Sequence, residues 1–170
     1  MSSTWSREEL EAAFQNWHST VARAASGEGS WREFVELFTP DAEYHEPMAG
    51  VLKGHDAIWA WVEPTLAKFP GAAMTSFPAY WHLIDEVNGV IVAKLNNLLR
   101  DPGDGSQMGS DNISILTYAG DGKFSKEEDF YDVGEFVRLV PEWIQRAKDL
   151  GTLSAEELAW CEQTQPVTSS

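Results

Sequence analysis

The apolar residues of this chain change their period twice, and the changes divide it into three stretches. The first stretch is helical. Leu10, Phe14, Trp17 and Val21 recur at helical spacing behind Ser6-Arg7-Glu8-Glu9, a capping box that sets a helix start. This helix is expected to end near Gly27-Glu28-Gly29. Ser30-Trp31-Arg32-Glu33 repeats the capping pattern and opens a short helix with Phe34, Leu37 and Phe38 on one face. Thr39-Pro40 is expected to stop it, because the residue before proline avoids the α region. Residues 41–47 read as a strand on which Tyr44 and Glu46 point one way and His45 the other. Residues 50–54 read as a loop. Residues 55–69 read as a third helix carrying Ile58, Trp59, Val62 and Leu66, with a kink or break at Pro64.

The middle stretch alternates with a period of two. Strands are expected over residues 79–87, 90–99, 111–119 and 122–133, with Asn88-Gly89 and Asp121-Gly122 as hairpin turns. Four consecutive strands joined this way form a meander. The helical period returns with Phe136, Val137, Val140, Trp143, Ile144 and Ala147. Ser154-Ala155-Glu156-Glu157 caps a last short helix that runs through Cys161. Helices, then one antiparallel sheet, then helices again make an α+β protein. A single domain is expected over residues 1–170, with a core over about 6–149, an extra C-terminal helix within 150–163 and a loose tail over 164–170. A strongly curved sheet with helices packed across its concave side would enclose an apolar pocket.

Composition narrows the partners. The 170-residue chain has eight Trp and eight Phe, too apolar for disorder despite a net charge of -15. That charge argues against nucleic acid and against anionic membrane surfaces. No apolar run marks a signal peptide or a membrane span. Cys161 is the single cysteine, so no internal disulfide forms, and a cytoplasmic location is expected. His45, His55 and His82 are dispersed, and no metal site is expected. The Gly103-Asp104-Gly105 loop follows no phosphate-binding pattern, and no cofactor motif is present.

The candidate chemistry lies on strands. In the last strand Glu127, Asp129 and Tyr131 share one face, and Glu128, Phe130 and Asp132 share the other. Which face turns inward is left open by periodicity alone. Asp132, just before the next helix, reads as its N-cap. In the strand over 90–99, Val92, Lys94, Asn96 and Leu98 share a face opposite to Ile91, Ala93, Leu95, Asn97 and Leu99. Lys94 is either a surface residue or a buried cation in need of Glu46 or Asp129 as partner.

Several segments carry a family resemblance. They are Trp31 to Ala42, Tyr44-His45-Glu46-Pro47, Gly54-His55-Asp56-Ala57-Ile58 and Asp129-Phe130-Tyr131-Asp132. From about Phe14 to Phe136 the chain resembles the nuclear transport factor 2-like superfamily. Within it, the likeness is to SnoaL-like polyketide cyclases and, more loosely, to limonene epoxide hydrolase. The resemblance implies a cone of curved sheet closed by helices, a deep apolar pocket and a homodimer packed through sheet surfaces.

It also implies roles. Asp129 falls on an aspartate general base, Tyr44 on a water-holding tyrosine, and Glu46 on an asparagine of the pattern. Lys94 and Asn96 fall on an arginine-x-aspartate pair whose aspartate is the general acid. Asn96 cannot donate a proton as an acid does, so the relay of the pattern is incomplete here. With Asp129, Glu46, Tyr44, Lys94 and Asn96 as the expected site, the walls would come from Trp59, Trp61, Val92, Leu98 and Tyr131. A carboxylate base in an apolar pocket suits proton abstraction next to a carbonyl, as in ketosteroid isomerase. The expected function is proton transfer on a small apolar oxygenated molecule. The alternatives are a non-catalytic binding module and a protein-interaction module using the open sheet.

Overall fold

A computed structural model describes residues 5–164; the tail expected over 164–170 lies almost wholly outside them. Helix α1 (Arg7–Ser26) starts where Ser6 Oγ accepts from the Glu9 N–H, and it buries Leu10, Phe14, Trp17 and Val21 along one stripe. Helix α2 (Trp31–Val35) is shorter than its spacing predicts, and strand β1 (Phe38–Glu46) begins directly after it. Sheet pairing overrides the helical spacing here. The Phe124 N–H donates to the Leu37 carbonyl, and Phe38 lies beside Phe124 in the sheet. Pro40 is tolerated because it falls in a register irregularity between Phe38 and Glu43, where its missing N–H costs no regular ladder bond.

The segment expected as a loop forms strand β2 (Gly50–Lys53), a short edge strand antiparallel to β1. Helix α3 (Gly54–Leu66) carries Pro64 near its end rather than breaking there. A short strand that the alternation did not predict, β3 (Met74–Ser76), precedes β4 (Ala79–Asp85) and β5 (Val90–Leu99). Strands β6 (Met108–Gly120) and β7 (Lys123–Tyr131) complete the sheet. The turn between them has Asp121 at φ 53° and Gly122 at φ 71°. Two successive positive φ angles match the right-handed twist of the flanking strands.

The sheet runs β2-β1-β7-β6-β5-β3, with β4 also pairing with β5. Neighbours are antiparallel except β1 and β7, which are parallel. Helices α1, α2 and α3 lie over the concave side, where Ile91, Leu95, Leu116 and Phe124 meet Phe14, Phe34 and Val62 in one core cluster.

Helix α4 (Val133–Asp149) and helix α5 (Ala155–Thr164) form a second cluster around fully buried Trp143. Arg100 fastens them to β5. Its guanidinium holds both Glu157 oxygens at 2.7 and 2.8 Å, and its carbonyl accepts from Trp143 Nε1 at 2.7 Å. Asp132 caps α4 as its sequence predicts, accepting from the Glu135 N–H at 3.0 Å. Asp132→Ala is expected to lower stability by about 1 kcal/mol in urea unfolding, the usual cost of losing such a cap.

Candidate active site

Curvature brings the inner faces of β1, β5, β6 and β7 around one cavity of about 440 Å³. Side-chain alternation decides what enters it. On β7, Glu127, Asp129 and Tyr131 turn inward, which settles the face that periodicity left open. On β1, Tyr44 and Glu46 turn inward, and on β6 Asn112 and Ser114 do. Trp17 from α1, Trp31 and Phe34 from α2, and Trp61 from α3 supply aromatic surface. Phe136 and Val140 of α4 line the same cavity.

The two inward carboxylates of β7 stand two residues apart and have unlike surroundings. Asp129 accepts from Tyr44 Oη at 2.6 Å on one oxygen. Its other oxygen accepts from Ser114 Oγ at 2.5 Å and Asn112 Nδ2 at 3.1 Å. Asn112 is oriented for this, because its own carbonyl accepts from the Phe130 N–H. Burial pushes the Asp129 carboxyl up, and the three donors pull it back down. Glu127 is 2 % exposed and receives one hydrogen bond, from Trp17 Nε1 at 3.1 Å. Burial, reinforced by the charge of Asp129, raises its carboxyl well above the usual range. Both carboxyls are raised by burial, Glu127 well above its ordinary value, while Asp129 alone has three donors that favour its ionised form. The Tyr44 hydroxyl is pushed up by its burial and by Asp129, so it stays a donor.

Glu46 forms a second polar corner. It accepts from the Met48 and Ala49 N–H groups at 2.6 and 2.8 Å and from the Tyr131 hydroxyl. Burial and that bond raise the Tyr131 phenol.

Asp129, Tyr44, Glu46, Trp61 and Tyr131 are thus brought together as the sequence predicts. Lys94, Asn96, Val92 and Leu98 are not. They occupy the outer face of β5, one residue out of phase with the cavity. Lys94 pairs with Asp111 Oδ2 at 2.8 Å, and Asn96 donates to Asp111 Oδ1 at 3.1 Å. The reason is energetic. The opposite set, Ile91, Ala93, Leu95 and Leu99, buries without stranding a charge, whereas the set containing Lys94 would bury an ammonium. Trp59 also points away from the cavity and lies under the Arg32 guanidinium at 4.4 Å. Lys94→Ala is expected to leave turnover within about two-fold of the parent, as for an ordinary surface change.

Sequence reasoning missed Glu127, Asn112, Ser114, Asn97 and Trp17 as site members. Glu127 was within reach of it, since it shares a face with Asp129. The β6 residues carried the same alternation signal, but nothing in it marked which face was concave. Among the described residues, no group of three His, Cys, Asp or Glu could hold a metal, and no helix is long and apolar enough to cross a membrane.

A curved, unclosed sheet with helices packed across its concave side defines the class of small cone-shaped α+β proteins. The chain belongs to the SnoaL-like domain family, whose model matches residues 7–126. No curated protein matches it in sequence. Among solved structures it is similar to Bal32a from a soil-derived mobile gene cassette, at 17% identity and TM-score 0.59, covering 78% of this chain and 96% of that one. It is similar to TerC, co-crystallized with polyporic acid, at 17% identity and TM-score 0.57, covering 78% and 98%. It is also similar to SalBIII, an epoxide hydrolase/cyclase-like enzyme of pyran ring formation in the polyether salinomycin. That likeness has 12% identity and TM-score 0.56, covering 75% and 94%. These likenesses establish the fold. Helices α4 and α5 lie beyond the part matched by the family model.

Proposed function

We propose that this protein is a cofactor-independent acid–base enzyme acting on a small, apolar, oxygenated molecule, with isomerase- or cyclase-like chemistry. The observation that carries the proposal is the pair Asp129 and Glu127, adjacent on one strand face of the cavity and unlike in surroundings, with three donors on Asp129 and one on the more strongly raised Glu127. Three of the four lone-pair positions of Asp129 are occupied by donors, and one remains to take a proton. Asp129 removes a proton from the carbon beside a substrate carbonyl. The electron pair moves onto the carbonyl oxygen, which protonated Glu127 stabilises by hydrogen bonding. Returning the proton to a different carbon isomerises the substrate. Attack of the same carbon on a second carbonyl carbon of the molecule closes a ring, with that carbonyl's π electron pair moving to its oxygen, which takes the proton held by Asp129.

A second reading is a binding module with no chemistry. The three donors on Asp129 favour it, because each weakens the carboxylate as a base. Incubation in deuterated water with a panel of cyclic ketones and enones, followed by mass spectrometry, separates the two. Deuteron uptake that disappears in Asp129→Asn supports the enzyme. Ligands that raise the melting temperature and return unlabelled support the binding module.

The second partner we propose is another copy of this chain. The outer sheet face exposes Trp81 and Leu83 near Val92 and Ile115, and Phe130 beside Ile113, an apolar surface suited to a homodimer. Sedimentation of the wild type as a dimer, and of Leu83→Lys as a monomer, is the expected result.

A further inference from the structure

Asn97 is the polar residue of the cavity that the acid–base chemistry does not use. It is 9 % exposed, lines the cavity, and lies on the inner face of β5 between Leu95 and Leu99. The carboxylates, the hydroxyls and the Asn112 amide of the wall have protein partners, whereas the Trp31 and Trp61 indoles donate to no group among the described residues. Tyr44, Asn112 and Ser114 serve Asp129, Trp17 serves Glu127, Tyr131 serves Glu46, and Thr65 donates to the Trp61 carbonyl. The Asn97 amide makes no side-chain hydrogen bond among the described residues. Its amide is open to the cavity rather than sealed behind it, and a strand otherwise filled by Ile, Ala and Leu would hold a leucine there without turning a polar group onto an apolar wall. A ligand that fills the cavity displaces whatever water serves this amide and must replace its bonds.

We infer that Asn97 anchors the far end of the substrate, which is an uncharged, elongated apolar molecule bearing one oxygen function near Asp129 and a second at Asn97. The inference rests on the acid–base reading for the first of those two ends. Charge excludes the other classes. Among the described residues, no Lys, Arg or His lines the cavity, so an anionic group would meet Glu46, Glu127 and Asp129 without a counter-ion. A cation finds Glu46 and Asp129 each engaged by three donors, and Glu127 enclosed at 2 % exposure with Trp17 Nε1 on its carboxyl.

The spacing comes from the sheet register. Asn97 pairs with Ser110 and Asp129 with Ser114, so the two lie two strands apart across the sheet and four residues apart along it. Strand dimensions put their backbones roughly 16 Å apart, and inward-pointing side chains on a concave face shorten that gap. One functional group cannot span that gap, but a rigid ring system oxygenated at both ends can.

The test uses 4,4′-dihydroxybiphenyl and 4-hydroxybiphenyl as neutral probes of equal width, titrated calorimetrically into the full-length protein. The parent is expected to bind the diol about 10- to 100-fold more tightly than the mono-ol, the usual cost of leaving one polar group unpaired by the ligand. Asn97→Leu, which matches its Leu95 and Leu99 surroundings, is expected to bind both probes equally. Asn97→Ala is expected to lose the preference as well. Equal affinities in the parent, or an undiminished preference in both variants, would overturn the assignment, and so would failure of the parent to bind either probe. Diol preference without deuterium exchange would keep the anchor and remove the acid–base reading. Exchange without diol preference would do the reverse.

Discussion

Asp129→Asn is expected to abolish deuteron uptake, lowering turnover by about 10³-fold or more while the protein stays folded and still binds ligand. The magnitude is that of removing a positioned base. Asparagine has the same shape, and its oxygen can still accept from Tyr44 or Ser114, so the wall of the cavity remains. What disappears is the negative charge and the free lone pair facing the substrate. In the parent the acid limb of the rate profile is expected to lie above the ordinary aspartate value of 3.8, since burial raises Asp129. Below that limb the base is protonated and inactive. Full turnover in Asp129→Asn would remove the base assignment. Lost turnover together with lost melting cooperativity would point to structural failure instead, and Tyr44→Phe then serves as the gentler variant. Removing one donor from Asp129 is expected to lift the acid limb, because that hydrogen bond favours the ionised form.

The second large effect belongs to Glu127. Its folded-state pKa stands well above the 4.5 of an ordinary glutamate, chiefly through burial. The folded protein therefore holds a proton that the unfolded chain releases. The stability this provides is complete below about pH 4.5. It is lost as the pH rises from the unfolded value toward the folded one.

Glu127→Gln keeps an acceptor for Trp17 Nε1 and removes the titration. The stability difference between the variant and the parent is expected to grow in favour of the variant by up to about 1.4 kcal/mol per pH unit across that window. Melting temperatures from pH 4 to 9 check this: curves that run parallel would mean that Glu127 is not held protonated. Turnover of the same variant is expected to fall by about 10²-fold, because an amide N–H is a weaker hydrogen-bond donor to the developing oxyanion than a carboxylic acid.

Neither of these residues could be assigned a role by type alone. The last strand has carboxylates on both faces, Glu127 and Asp129 on one and Glu128 on the other, and only pairing with β1 and β6 decides which face is concave. Glu128, left on the outer side, lies in a surface ion pair with Lys126 at 2.9 Å. Strand β5 shows the same limit from the other direction. Reading Lys94 as a site cation brought Val92, Asn96 and Leu98 inward with it, since a one-residue error exchanges the whole set. The cost of burying Lys94 opposed that choice. The apolar run Ile91, Ala93, Leu95 was the better guide, with Asn97 as the single polar residue carried inward by the true register.

By itself the sequence determined the order of elements, the α+β class, the capped starts of α1, α4 and α5, the β4-to-β7 meander and the family resemblance. These features rest on local physics: hydrophobic period, capping side chains and turn residues act over a few positions. Tertiary structure alone decided where α2 gave way to β1, that β2 and β3 exist, and which side of each strand meets the cavity. Those outcomes depend on pairing between residues as distant as Tyr44 and Glu127 and on how the sheet curves. Side-chain alternation offers two equivalent faces, and only burial energy summed over the whole sheet chooses between them.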